Sequence, residues 1–142
     1  MTAATTIAGR KVLIQLGDGA GPEVFAAPCA VTTKTFGITK AMADSIVPDC
    51  TDPDLVGWVA REPTSKSSDI SGSGIVNEES LELWQAFAMG DDNKSVRIVP
   101  GTVGHWQGKY HCTSFRITGA QAGKATFDFS LVSDGEVTWT AT

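Results

Sequence analysis

The sequence predicts a mainly β fold: an antiparallel β-sandwich or barrel with one flanking α-helix and a long inter-strand loop. Three observations carry this. Apolar and polar residues alternate with period two over most of the stretch from Tyr110 to the C-terminus, the mark of half-buried antiparallel strands. A helical period occurs once, between Glu78 and Met89. Residues 41–68 separate two strand-like stretches and hold three prolines among alternating acids. At 142 residues the chain reads as one domain, large enough for a core without staples.

Residues 1–9 are small and polar and read as an N-terminal arm, loose or ordered by a neighbouring subunit. Lys11-Val-Leu-Ile-Gln-Leu16 is a strand, Gly17-Asp-Gly-Ala-Gly-Pro22 a turn, and Glu23-Val-Phe-Ala begins the return strand. The glycine run is not a phosphate loop, because Pro22 and a strand follow where a helix should start. Residues 29–40 are rich in β-branched side chains and read as a long strand. The loop 41–68 comes next. Its prolines exclude a central strand, and a connection of this length in a compact domain is usually functional. It is not polar filler. Ile46, Val47, Leu55, Val56, Trp58 and Val59 are apolar, so a loop standing off its own domain needs another chain to cover them.

Residues 69–76 return as a strand. Asn77 then caps a helix over 78–89, with Glu78 and Glu79 at its positive end. Leu81, Leu83, Trp84, Phe87 and Ala88 share one side of the helical wheel; Glu78, Glu82 and Gln85 lie opposite. The apolar side should pack on the sheet through Trp84 and Phe87. Gly90-Asp-Asp-Asn ends the helix, Lys94-Ser-Val-Arg-Ile-Val is a strand, Pro100-Gly-Thr-Val-Gly a turn, and His105-Trp-Gln-Gly leads into the last strands.

In those strands Phe115 and Ile117 share one face, and Cys112, Ser114, Arg116 and Thr118 the other. Around Asp134-Gly135 two hairpin registers compete. A two-residue loop mixes the faces. A three-residue loop, Ser133-Asp134-Gly135, with Gly135 in the left-handed conformation, pairs Leu131 with Val137, Phe129 with Trp139 and Phe127 with Ala141. It also sets Ser130 against Thr138 and Asp128 against Thr140. Consistency of faces selects the bulged loop. The same reading puts Trp84 and Trp139 in the core and leaves Trp58 and Trp106 free.

Composition narrows the functions. The net charge is −5 and no lysine or arginine cluster exists, which disfavours ordinary phosphate-backbone binding. No run of about 18 apolar residues is present, so no helical membrane insertion is expected. The first nine residues lack a charged region followed by an apolar core, which points to synthesis in the cytoplasm. Three widely spaced cysteines, Cys29, Cys50 and Cys112, read as reduced thiols.

No catalytic residues, metal site or cofactor emerge. The two histidines, His105 and His111, sit in one short segment without a nucleophile elbow. No paired Cys or His spacing suits zinc. Counted from Asp49 as a calcium loop, position six has no glycine and Ala60 takes the last-ligand place, so Asp49, Asp52 and Asp54 read as a solvated acidic loop. Nothing nominates a carboxylate pair for glycoside hydrolysis, and two free tryptophans are thin support for a carbohydrate-binding module.

A helix-bearing β-sandwich with a long apolar-acidic loop, an arm and no active site fits an assembly protein. The segment 46–74, with Pro48-Asp49, Pro53-Asp54, Trp58 and Lys66-Ser-Ser-Asp-Ile-Ser-Gly-Ser-Gly74, carries the resemblance. So do Tyr110-His-Cys-Thr-Ser-Phe-Arg-Ile-Thr-Gly119 and Lys124-Ala-Thr-Phe-Asp-Phe-Ser-Leu-Val-Ser-Asp-Gly-Glu-Val-Thr138. The chain resembles the major tail tube proteins of long, flexible-tailed bacteriophages and related gene transfer agents. That resemblance implies hexameric rings that stack into a hollow tube in the virion tail. Each sheet would join its neighbours' to line the channel. The long loop would reach an adjacent ring, with Ile46, Val47, Pro48, Leu55, Val56, Trp58 and Val59 as inter-ring contacts. It further implies a tape measure protein inside the tube, distal tail and tail terminator proteins at its ends, and double-stranded DNA passing without specific binding. Asp128, opposite the phenylalanines, is the lumen-facing candidate; period two assigns faces but not inside from outside, so the outer surface stays open for it. The alternatives are a distal tail or terminator protein, a secretion-system tube protein, and a monomeric ligand- or carbohydrate-binding β module.

Overall fold

The computed structural model describes residues 3–17, 25–28 and 31–142. Its strands are β1 (Val12–Gly17), β2 (Phe25–Ala26), β3 (Val31–Val47), β4 (Trp58–Ile75), β5 (Lys94–Pro100), β6 (Gly104–Thr118), β7 (Thr126–Ser133) and β8 (Thr138–Ala141). The one α-helix among the described residues, α1, spans Glu78–Met89, and a single 3₁₀ turn covers Gly9–Lys11. All pairings are antiparallel, in the order β2-β1-β5-β6-β7-β4-β3, with β8 added beside β6. The mainly antiparallel class with one helix is therefore what the chain adopts. The glycine-rich turn predicted at 17–22 lies largely outside the described residues, as does Cys29; only the Phe25–Ala26 part of the return strand is seen, paired with β1.

Strand β6 is long enough to serve two neighbourhoods. Its first half pairs with β5 and β8, and its second half with β7. Between the strands lies a core of Ile14, Leu16, Ile70, Val96, Ile98, Tyr110, Phe127, Phe129 and Leu131, closed by Trp84 and Phe87 of α1. Asn77 caps the helix as expected, its side chain accepting from the Glu79 N–H at 2.8 Å. Trp84 is 1% exposed and stands among Phe129, Phe127 and Phe115, with ring centroids 4.4, 5.8 and 6.1 Å away. Gly72 on β4 makes room for this cluster: a Cβ there would meet the Phe129 ring at 2.9 Å and the Thr33 carbonyl.

Three expectations are corrected. First, 41–68 is not a loop. Ala41 to Val47 pair with Ser65 to Trp58, so β3 and β4 form a long two-stranded ribbon and only 48–57 turns. Pro48 and Pro53 fall in that turn. Pro63 sits at an irregularity, where Ala41 faces Ser65 but Met42 faces Pro63, and the Thr64 hydroxyl donates to the Ala41 carbonyl at 3.1 Å. Proline's missing donor is tolerated on an edge or bulge, and in a free ribbon both strands are edges.

Second, β8 pairs with β6 rather than β7: Trp106 faces Trp139 and His105 faces Thr140. Both edges of β7 are already held, by β6 and by β4. Alternation fixes which face a side chain takes, not which strand lies beside it. Gly104 permits the approach, since a Cβ there would strike the Thr140 carbonyl and the Trp139 ring. Gly135 does take positive φ, at 97°. Trp139 is consequently 44% exposed instead of core, and Trp106 is half-buried between it and Phe36 instead of free.

Third, the faces of β6 change partway. A bulge between Cys112 and Ser114 turns Cys112 onto the core side with Phe115. One extra residue flips the alternation, and that lets Tyr110 and Phe115, five residues apart, face the same core.

Candidate assembly surfaces

The ribbon extends well beyond the sheet. At about 3.3 Å per residue, the eleven steps from Asp69, where the pairing of β4 with β7 begins, to Trp58 carry the ribbon about 36 Å beyond it. Its tip is apolar and bare. Trp58 is 87% exposed and Val56 93%, and Ile46, Val47, Leu55 and Val59 are exposed too, as is Pro48. The structure brings all seven predicted contact residues to one end of the molecule. The acids there organise the turn: Asp49 Oδ1 accepts from the Thr51 hydroxyl at 2.7 Å, the Thr51 N–H at 2.8 Å and the Asp52 N–H at 3.2 Å. Those hydrogen bonds, the hydroxyl first, hold the Asp49 carboxyl below its ordinary pKa. Cys50, a free thiol, is exposed in the same turn.

A second surface is the sheet face turned away from the core. Across β3, β4, β7 and β6 the register sets Thr33, Ser73, Asp128 and Arg116 in one row. Thr35, Ser71, Ser130 and Ser114 form the next, and Gly37, Asp69, Val132 and His111 the third. The core face of the same strands carries Phe36, Ile70, Leu131 and Cys112. Asp128 is exposed on the hydroxyl-rich side. Sequence reasoning singled out Asp128 but not the rows, because rows are a property of register between strands distant in sequence.

Among the edges left open in the described residues, two flank one four-stranded sheet. β3 pairs only with β4, and β6 beyond Tyr110 pairs only with β7. Four strands lie from one open edge to the other. Beside the β6 edge a groove of about 560 Å³ runs along α1, lined by Leu81, Ala88, Met89, Cys112, Phe115 and Ile117 among others. Burial pushes the Cys112 thiol above its ordinary pKa.

The polar chemistry present is structural. Asp134 accepts from Asn93 Nδ2 at 2.8 Å and contacts His111 Nε2 at 3.1 Å, so one carboxylate ties the post-helix loop, β6 and the turn after β7. These partners, Asn93 first, lower its pKa. In the core the Ser68 and Tyr110 hydroxyls share a 2.7 Å hydrogen bond, and burial raises the Tyr110 pKa. Among the described residues no three His, Cys, Asp or Glu side chains gather as a metal site. No helix there is long and apolar enough to cross a membrane.

Comparison with known proteins places this geometry. Superposed on the tail of an empty gene transfer agent particle, refined with helical and C6 symmetry, the chain gives a TM-score of 0.81 at 21% identity. The match covers 96% of this chain and all of the other. Against the SPP1 tail tube the TM-score is 0.68 at 13% identity, over 96% and 80% of the two chains. The sheath-tube complex of an extracellular contractile injection system, PVC, gives 0.66 at 16%, over 96% and 93%. No curated relative matches in sequence. A family model described as phage tail tube protein matches residues 6–139. With nearly its whole length matched by that model, the chain belongs to the phage tail tube protein family.

Proposed function

We propose that six copies of this chain close into a ring, and that rings stack into the hollow tube of a phage or gene transfer agent tail. The observation that carries this is the pair of open edges on one four-stranded sheet. Because four is even and every pairing is antiparallel, the β3 edge of one copy meets the β6 edge of the next in antiparallel sense. The repeat continues until the ring closes and neither of these two edges remains. The hydroxyl-rich face with Asp69 and Asp128 then lines the bore. On that face Asp69 and Asp128 outnumber Arg116, and with a chain charge of −5 this disfavours a hold on DNA phosphates.

The ribbon leaves the ring and reaches the adjacent one, where Ile46, Val47, Pro48, Leu55, Val56, Trp58 and Val59 lose their exposure. The partners in this reading are further copies, a tape measure protein, and distal tail and terminator proteins; the subunit is made in the host cytoplasm and ends in the virion. The chain acts by assembly and not as an enzyme.

Negative-stain electron microscopy of the purified chain, beside its mass in solution, tests the reading. Sixfold rings or hollow tubes are expected. A chain that stays monomeric at high concentration, even with preformed tail-tip complexes added, would sink it. Deleting residues 47–66 should leave rings that no longer stack; rings that still stack would move the inter-ring contact elsewhere.

A further inference from the structure

One face of the ribbon carries a charge arrangement that nothing in a single copy answers. Lys40 and Lys66 are direct cross-strand partners. Like charges so placed destabilise a ribbon. Both are exposed, on the core-side face at the ribbon's base, where they line a cleft of about 360 Å³ with Ile38, Trp106, Trp139 and Glu136. Among the described residues the only ion pairs are Arg61–Asp44 and His111–Asp134, so Glu136 closes no bridge to either lysine. Further out, the strand partners Met42 and Pro63, then Ile46 and Val59, lie exposed. The opposite end of the molecule carries the acidic first turn of α1, with exposed Lys124 nearby, one residue before Ala125, whose carbonyl accepts from the Val76 N–H. β4 runs about 30 Å from Lys66 to Ile75 at the usual strand rise, and α1 starts three residues later with Glu78, Glu79 and Glu82 all exposed.

We infer that this face of the ribbon binds a second copy in the next ring, with Lys40 and Lys66 set against the Glu78–Glu82 turn of that copy's helix. The inference rests on the tube reading and adds which charged side chains meet between rings. Rings stacked head to tail bring lysines to glutamates. Rings stacked head to head bring like charges together. A heterologous contact of this kind extends as a filament in one sense only, and exposed pairs of this kind weaken with salt.

Two variants test it. Lys40→Glu/Lys66→Glu makes both ends acidic; Glu78→Lys/Glu82→Lys makes both basic. Each alone should form rings, with the critical concentration for tubes raised on the order of tenfold at low salt, the scale of a few exposed ion pairs per subunit. An equimolar mixture of the two should recover tubes, since ribbons of one then meet helices of the other. A single Lys40→Glu separates assembly from folding. It places opposite charges across the ribbon, so its melting temperature should hold or rise while stacking weakens. Tubes from either double variant at the wild-type concentration, or a mixture no better than its components, would overturn the contact while wild-type tubes leave the tube reading standing. A wild type without rings or tubes would remove both.

Discussion

Trp84 is the residue on which the helix depends. It is 1% exposed, and its closest aromatic neighbour, Phe129, is 4.4 Å away between centroids. Trp84→Ala should cost roughly 3–5 kcal/mol in denaturant melts; a loss under about 1 kcal/mol would contradict the packing. The indole N–H has no hydrogen-bond partner, so Trp84→Phe removes an unsatisfied donor along with some contact area and should cost well under half as much. Asp134 offers a pH-dependent counterpart. Its folded pKa is depressed, so its contribution is present above the ordinary aspartate value and lost as pH falls through the lowered one. Asp134→Ala should therefore melt earlier than the wild type at pH 7, and the two curves should converge once the pH has fallen below the lowered pKa. A gap that persists at low pH would assign the effect to something other than the carboxylate.

At the level of elements, what the sequence discloses and what it hides divide along a physical line. The helix was legible because its signals are local: an Asn cap, two acids in the first turn and a 3.6-residue period. Gly135 takes the left-handed conformation expected of it, although the bulged hairpin that motivated the expectation does not form. The partner of β8 was not, since Thr138–Ala141 keeps the same alternation beside β6 as beside β7. The bulge before Ser114 was hidden because one inserted residue leaves no mark in composition. Reading 41–68 as a loop weighed its prolines correctly but overlooked that a free ribbon is all edge. The apolar tip was legible, as a need for cover that no intramolecular contact meets. Cys50 reports on that cover. The exposed thiol should react readily with a maleimide in the free chain, and Cys112 slowly, because burial raises its pKa and reduces its thiolate. Site-resolved mass spectrometry should then show Cys50 protected once tubes form. Equal labelling of Cys50 in rings and tubes would place the tip outside the inter-ring contact.

For the whole molecule, the proposed closure turns the hydroxyl face inward, and the chemistry of that face favours it. The core-side face is already occupied by α1 and the aromatic cluster, so in the proposed tube the helix lies outside and the hydroxyl rows line the bore. Asp128 sits mid-row, between Ser73 and Arg116. Asp128→Lys combined with Asp69→Lys changes the face by four charges per subunit without touching the core. In a six-copy ring the bore would become strongly cationic, and double-stranded DNA entering it would release counterions and stay. Variant tubes should retain short duplexes in a salt-sensitive way, and the retained DNA should resist nuclease because protein surrounds it. Wild-type tubes should retain little. If the variant binds duplexes that nuclease still digests, the face looks outward and the bore must be lined by other strands. That result would turn α1 toward the channel while leaving the β3-to-β6 edge pairing possible, so it tests the facing of the sheet apart from its closure.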